Sequence, residues 1–245
     1  MPGTRIVRYS RTVNLTAFVS ATKRGIGQDG SHVIRCQSPI ERDLCYVLEV
    51  LPWVTRYEHQ PFTATAAFTD GSHHNYTTDF RVLGTAARLI VECKSEDKVG
   101  TPPVLQQVAI GRAWAAENDH QFLLVTGEQL RAGAFLANAK LLGRYAQQPV
   151  PAPFLRVLGA ILADHPEGLP LAVLAAHVLA SVPPPWPEAR FTPAPPAAFA
   201  RMALHALVFR HVLAADLAVP LTDDSRLWIA GQGVKEGADG PLLLR

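Results

Sequence analysis

The sequence has few cysteines, few charged side chains and no long apolar run, and each shortage excludes a class of protein. Only three of its 245 residues are cysteine, and none lies in a Cys-x-x-Cys pair, which argues against a disulfide scaffold or a zinc knuckle. No apolar run reaches the roughly 18 residues of a membrane-spanning helix, and the N-terminus lacks the continuous apolar segment of a secretory signal. Hydrophobic residues make up 48% of the chain, too many for a disordered protein. We therefore expect a soluble globular protein of a reduced intracellular compartment, with no membrane partner.

The net charge of +2 hides an uneven distribution along the chain. Residues 1–35 hold six basic side chains and one acidic side chain, whereas residues 36–148 hold ten and twelve, and residues 149–245 seven and eight. A basic N-terminal arm of this kind can contact a phosphate backbone, because its cations displace counterions from nucleic acid. A solvated, disordered tail would have the same composition, so charge alone leaves both interpretations open.

Proline marks the boundary between the two larger parts of the chain. Fourteen of the twenty prolines lie in residues 149–245, and the run from Pro149 to Pro153 is typical of a linker, because proline stiffens the backbone and removes hydrogen-bond donors. We predict a basic arm over 1–35, a first domain over 36–148 and a second domain over 149–245. The second domain carries a proline-rich insert at 183–196.

The first domain alternates helical and strand-like patterns. Ser38-Pro39-Ile40-Glu41 has the cap, first-turn proline and acid of a helix start, and an apolar stripe at helical spacing follows it as far as Leu51. Strands are predicted at 54–60, 63–68, 76–83, 88–94 and 121–126, and further helices at 102–117 and 128–147. This order predicts an α/β fold, a mixed sheet flanked by helices.

The second domain is predicted to be small and mainly helical. Helices are expected at 153–164, 169–181 and 197–213, followed by two strand-like runs around Asp223-Asp224. Three helices and a terminal hairpin are winged-helix-like, an arrangement used both for DNA binding and for protein contacts.

Three residues of the first domain have the pattern of a metal-dependent nuclease site. Side chains alternate along a strand, so Glu92 and Lys94 share one face of the 88–94 strand, where a buried apolar run ends. If the 76–83 strand lies alongside, Asp79 comes next to Glu92, and two carboxylates supply the hard oxygen ligands that Mg²⁺ prefers. Lys94 could then orient a water molecule or neutralise charge on a phosphodiester. An exposed Glu92–Lys94 ion pair beside an unrelated strand-edge aspartate is the structural alternative.

Glu41 has two competing interpretations. It completes a capping box with Ser38, which would occupy its carboxylate at the start of the helix. Helical geometry also places it at the edge of the apolar stripe, where it could supply a third acid to the two-strand site. The local sequence leaves both roles open.

Two further sequence features do not indicate a binding site. Residues 25–30 fit Gly-x-Gly-x-x-Gly, but no strand pattern precedes them and no helix pattern follows, so we interpret them as a flexible loop. His59 has no ligand-spaced partner and is expected at the surface.

The ordered segments SPIERDLCYVLEVLPWVTRYEHQPF, YTTDFRV and LIVECKS resemble the TnsA-type endonuclease subunit of heteromeric, Tn seven-like DNA transposases. The resemblance covers roughly residues 20–145 and implies a restriction-endonuclease-like core. Carried over by position, Glu41, Asp79 and Glu92 would be the acids of a Mg²⁺ site in which Mn²⁺ can substitute, and Lys94 the catalytic lysine. Thr78 stands where the family often has proline, and Glu92 where some members have glutamine.

The resemblance also implies an activity and its partners. The chain would hydrolyse the 5′ strand at the ends of a transposon, working on double-stranded DNA together with a DDE-type transposase subunit. Its C-terminal domain would contact an AAA+ regulator ATPase, and the complex would act on the nucleoid in the bacterial cytoplasm. A stand-alone restriction or repair nuclease of the same fold and a non-catalytic DNA-binding adaptor are the rival hypotheses.

Overall fold

The computed structural model describes residues 17–20, 25–67, 71–182 and 194–232, the first of these ranges by its backbone only. The chain divides into two compact units. The first unit comprises Met1–Cys45, Arg56–Val82 and Arg88–Gly127, and the second comprises Tyr46–Thr55, Leu83–Ala87 and Glu128–Arg245. Most of the basic arm and of the proline-rich insert lies outside the described residues.

The elements up to Thr126 build a mixed α/β core. In chain order they are β1 (Ala17–Ser20), β2 (Gly25–Ile26), β3 (Val33–Cys36), α1 (Pro39–Val50), β4 (Val54–His59), β5 (Thr63–Ala67), β6 (His73–Thr77), β7 (Phe80–Gly84), β8 (Arg88–Lys94), α2 (Pro102–Glu117) and β9 (Gln121–Thr126). Five of these strands form one sheet in the order β2-β4-β7-β8-β9, in which β2 runs parallel to β4 and β8 parallel to β9. This is the predicted mixed sheet flanked by helices, and it is consistent with a restriction-endonuclease-like core.

Strand β8 lies inside this sheet, which explains its sequence. It is hydrogen-bonded to β7 on one side and to β9 on the other, and every residue from Leu89 to Cys93 is buried. A strand covered on both faces is a continuous apolar run, as Leu89-Ile90-Val91 is. The acid and the lysine therefore come at the end of the strand, where the buried run stops.

The prediction of one strand over 76–83 is wrong in a way that matters for the site. The segment contains parts of two strands, β6 and β7, which belong to different sheets. Strand β6 pairs with β5 in a separate antiparallel hairpin, whereas β7 belongs to the five-stranded sheet. The chain turns between them at Thr78, whose buried hydroxyl donates to the carbonyls of Phe80 and Val91 at 3.3 and 3.4 Å. Asp79 consequently lies on a connection rather than within a strand.

Two other sequence predictions need correction. Residues 25–30 were expected to be a flexible loop, but they form β2 and the start of a turn that leads to β3, with Gly27 N–H donating to the Ser31 carbonyl at 2.7 Å. The predicted helix 128–147 is divided into α3 (Gly127–Arg131) and α4 (Phe135–Gly143). The break contains Gly133 at φ +71°, a conformation that glycine adopts without the usual cost.

The second unit contains three further helices and a small antiparallel sheet. Its remaining elements are α5 (Ala152–Ala163), β10 (Leu169–Pro170), α6 (Leu171–Ser181), α7 (Pro196–Phe209), β11 (Leu213–Ala214) and β12 (Arg226–Ile229). The sheet order is β10-β12-β11. Asn138 on α4 fixes the segment between β11 and β12, donating to the carbonyls of Leu217 and Val219 and accepting from Leu221 N–H. Among the described helices, none has the length and apolarity needed to cross a bilayer.

A substitution at Gly111 tests how closely α2 packs against the rest of the first unit. A Cβ at this position would lie 2.4 Å from the ring of Phe122 and 3.1 Å from that of Tyr76. We expect Gly111→Ala to lower the free energy of unfolding by about 1–3 kcal/mol, because the rings must shift to make room. Gly159 on α5 has no atom within 4 Å of its Cβ position, so Gly159→Ala should instead raise it by about 0.5–1 kcal/mol. Urea unfolding of the two variants measures both effects, and destabilisation of equal size would contradict this account.

Candidate active site

The first unit brings the four predicted site residues together. Glu41 comes from the first turn of α1, Asp79 from the connection between β6 and β7, and Glu92 and Lys94 from the end of β8. The negative charge of Glu41 raises the pKa values of both Asp79 and Glu92, so the three acids lie close together. Glu41 is only 5% exposed and Glu92 only 1%, so this cluster of acids is largely removed from water.

Glu41 has the capping role, and its position next to the other acids is compatible with the second role as well. Its backbone N–H donates to Ser38 Oγ at 3.1 Å, and its Oε2 accepts from the backbone N–H of Gln37 at 2.8 Å. The same Oε2 lies 3.1 Å from Nε2 of His59, at the end of β4. The two interpretations of the sequence therefore do not exclude each other.

Asp79 is held by the backbone of the strand that carries Glu92. Its Oδ2 accepts from Cys93 N–H at 2.8 Å, and its own carbonyl accepts from Gln60 N–H at the same distance. The residue is partly buried. Burial raises the pKa of Asp79 well above its ordinary value, and the negative charges of Glu92 and Glu41 raise it further.

Glu92 divides its two carboxylate oxygens between two partners. Oε1 pairs with the ammonium of Lys94, which confirms that these residues share a face of the strand, and Oε2 accepts from the hydroxyl of Tyr76 at 2.7 Å. Burial raises the pKa of Glu92, and the lowering effects of Lys94 and Tyr76 do not cancel this rise.

Lys94 keeps its positive charge at neutral pH. Burial lowers its pKa, but Glu92 and Asp79 outweigh that effect, so the net pKa lies above the ordinary value. The ammonium is therefore a fixed cation beside at least two acids, and it can interact with an anionic phosphate when one approaches.

Cys93 lies between Glu92 and Lys94 in sequence and takes no part in this charge cluster. Its side chain is buried, and burial, with a further effect of Asp79, raises the pKa of the thiol well above its ordinary value. A protonated thiol is a poor metal ligand, so the candidate donors at this site are carboxylate oxygens.

The acids of the cluster are donors of the chemical type that Mg²⁺ prefers. Three carboxylates meet in a poorly solvated site where one ammonium does not offset their repulsion, and hard oxygen donors are what Mg²⁺ and Mn²⁺ select. Within the described ranges, no group of three or more His, Cys, Asp or Glu side chains is arranged so that it could hold a metal ion. Ion binding would thus require the carboxylates to share their oxygens with the present hydrogen-bond donors.

Sequence reasoning missed two residues of the site. His59 was expected at the surface, and this is wrong, because it is 3% exposed and contacts Glu41. Its ring also lies 5.1 Å from that of Phe80, so β4 and β7 enclose it. Tyr76 was interpreted only as part of a strand. In both cases the partner is distant in sequence, and neither residue belongs to a ligand-spacing motif.

Comparison with known proteins supports the resemblance drawn from the sequence. Residues 51–127 match the family model described as the TnsA-like endonuclease N terminal, which confirms the similarity to a TnsA-type endonuclease over that segment. The matched segment includes Asp79, Glu92 and Lys94, and Glu41 precedes it. A search of curated proteins found no match to the chain.

The raised pKa of Asp79 predicts that this carboxylate destabilises the fold at neutral pH. A carboxyl whose folded-state pKa lies above its unfolded value of 3.8 contributes stability below pH 3.8 and loses that contribution as the pH rises through the folded-state value. Asp79→Asn, which can still accept from Cys93 N–H, should therefore raise the melting temperature at pH 7, by about 2–4 °C per kcal/mol relieved.

The gain should shrink as the pH falls towards 4, and differential scanning calorimetry at several pH values measures it. Asp224→Asn is the control, because Asp224 is exposed in the second unit. An Asp79→Asn variant that is less stable than the wild type at pH 7 would contradict the assignment of this acid to a strained charge cluster.

Proposed function

We propose that the chain is a metal-dependent DNA endonuclease subunit of a transposase complex, which hydrolyses the 5′ strand at each end of a transposon. The observation that carries this proposal is the convergence of Glu41, Asp79, Glu92 and Lys94 in one cluster, in which Glu41 and Glu92 are buried. Three of the four lie inside the segment that matches a TnsA-like endonuclease domain. The match supports a nuclease of the transposase type, and the geometry supports a site for phosphodiester hydrolysis.

The acids and the lysine would divide the work of hydrolysis. Glu41, Asp79 and Glu92 would hold Mg²⁺, or Mn²⁺ in its place, and this ion would supply an activated water and positive charge at the phosphate. Lys94 would place its ammonium against a non-bridging phosphate oxygen, where negative charge grows as water attacks phosphorus. Glu92 would keep that ammonium in place through their ion pair. As the water oxygen bonds to phosphorus it gives up a proton, the bond from phosphorus to the leaving deoxyribose oxygen breaks, and that oxygen takes up a proton.

The second unit would contact a partner protein within such a complex. Three helices and the antiparallel order β10-β12-β11 are what a winged-helix domain over 149–245 would contain. Eight residues of α7 are buried, and its Arg201 is engaged by both carboxylate oxygens of Asp223 at 2.8 Å. Because Arg201 is paired, α7 offers little positive charge to DNA. We therefore propose that it contacts a protein partner, the AAA+ regulator.

DNA contact would then fall to the first unit, to which the basic residues 1–35 belong. The arm over 1–35 carries a net charge of +5 and would neutralise phosphates beside the cleavage site. The full assembly would contain double-stranded transposon ends, the DDE-type transposase that cuts the other strand, and the AAA+ ATPase, in the bacterial cytoplasm.

Strand-specific cleavage in the reconstituted complex tests the proposal. With the transposase, the ATPase, Mg²⁺ and end-labelled transposon DNA, the wild type should release the 5′ strand at both ends. Asp79→Ala and Lys94→Ala should each reduce this cleavage at least about 100-fold and leave the transposase's own nick intact. Glu117→Ala is the control, because Glu117 is exposed at the last residue of α2, next to the start of β9.

Other outcomes would identify the rival functions. Mg²⁺-dependent cutting by the chain alone, equally fast without transposase and ATPase, would favour a stand-alone nuclease. Full 5′-strand cleavage by Asp79→Ala would contradict the catalytic assignment and leave a DNA-binding adaptor as the better hypothesis.

A further inference from the structure

Tyr76 makes a contact that the proposed chemistry does not yet use. Its side chain is 1% exposed, and its hydroxyl donates to Oε2 of Glu92 at 2.7 Å. The two residues come from different sheets, since Tyr76 lies on the β5–β6 hairpin and Glu92 on the five-stranded sheet. This hydrogen bond thus links the hairpin directly to a predicted metal ligand.

The ring of Tyr76 is fixed by its surroundings. In the hairpin it is paired with Ala64 of β5, and together these residues pack against Ile110 of α2. The absence of a side chain at Gly111 leaves space for the ring, whose nearest atom lies 3.1 Å from where a Cβ would be. The hydroxyl consequently has a defined position relative to β8 and cannot withdraw without moving the hairpin.

The two oxygens of Glu92 each have one partner and can accept more. Lys94 engages Oε1 and Tyr76 engages Oε2, so the plane of the carboxylate is set by two donors on its two oxygens. An ionised carboxylate offers about four acceptor positions, so each oxygen retains capacity for a cation. Burial and the charge of Glu92 raise the pKa of the Tyr76 hydroxyl, which therefore remains a neutral donor at physiological pH.

We infer that Tyr76 is a positioning residue, which holds the Glu92 carboxylate in the orientation needed to bind the divalent ion and keeps it there while Lys94 acts on the phosphate. The inference rests on the proposed function, because it needs Glu92 to be a metal ligand. Partners that orient metal ligands typically contribute 10–100-fold to metal affinity. It also means that the hairpin contacts a predicted metal ligand directly through this hydroxyl.

The test is Mn²⁺ binding to the full chain by calorimetry, with Tyr76→Phe compared with the wild type. The change removes one oxygen atom and keeps the ring, so we expect Mn²⁺ to bind about tenfold more weakly while the fold is retained. In the reconstituted complex, kcat for 5′-strand cleavage should fall at subsaturating Mn²⁺ with the KM for DNA unchanged. Tyr145→Phe is the matched control, because Tyr145 belongs to the second unit, where its ring stacks on His205 at 5.2 Å.

A double-mutant cycle separates positioning from packing. With Glu92→Ala there is no carboxylate left to orient, so adding Tyr76→Phe should change the residual Mn²⁺ affinity less than twofold. A tyrosine that served only the hairpin core would weaken binding equally in both backgrounds, and that result would overturn the inference.

A second variant covers the case in which Tyr76→Phe does not fold. Glu92→Asp breaks the same hydrogen bond from the other end, because it withdraws the carboxylate by one methylene and keeps the charge and the tyrosine. It should show a similar loss of Mn²⁺ affinity, and wild-type affinity in either folded variant would overturn the inference. Failure of the proposed function is recognised separately, since the wild type itself would then bind Mn²⁺ no better than Asp79→Ala, and the positioning role would fall with it.

Discussion

The charge balance around the end of β8 is the constraint on which the candidate site depends. Two acids of this cluster, Asp79 and Glu92, have raised pKa values even though the Lys94 ammonium lies beside them. One partly exposed cation therefore does not compensate the acids brought together here, and a folded protein seldom retains such repulsion without a use for it. In the proposed function, a divalent ion would provide the missing positive charge.

The hydrogen bonds around this cluster show how the fold sustains it. Each acid accepts from a different part of the first unit: Glu41 from the start of α1, Asp79 from the backbone of β8, and Glu92 from the β5–β6 hairpin. Cys93 belongs to β8 and Tyr76 to β6, so regular secondary structure holds the donors to Asp79 and Glu92 in place. The stability of the folded core thus keeps the acids together in spite of their mutual repulsion.

The sequence predicted much of this arrangement because its signals are local. The apolar run before Glu92 marks a central strand, the period of two places Lys94 on the same face, and Ser38 with Glu41 marks the helix start. The turn at Thr78 could not be predicted, because it depends on hydrogen bonds to Val91, thirteen residues away. The partners His59 and Tyr76 were missed for the same reason: their roles arise from sheet order and hairpin packing, which no short motif encodes. Strands β2 and β3 were missed because they are short and their sequence suggests turns.

The most direct test of the central claim is Mn²⁺ binding measured by calorimetry on the wild type, Asp79→Ala and Glu117→Ala. The account predicts saturable binding by the wild type and by Glu117→Ala, and its loss in Asp79→Ala, because only Asp79 lies in the acid cluster. Equal binding by all three proteins would contradict the account, since the convergence of Glu41, Asp79 and Glu92 would then have no connection with a metal ion.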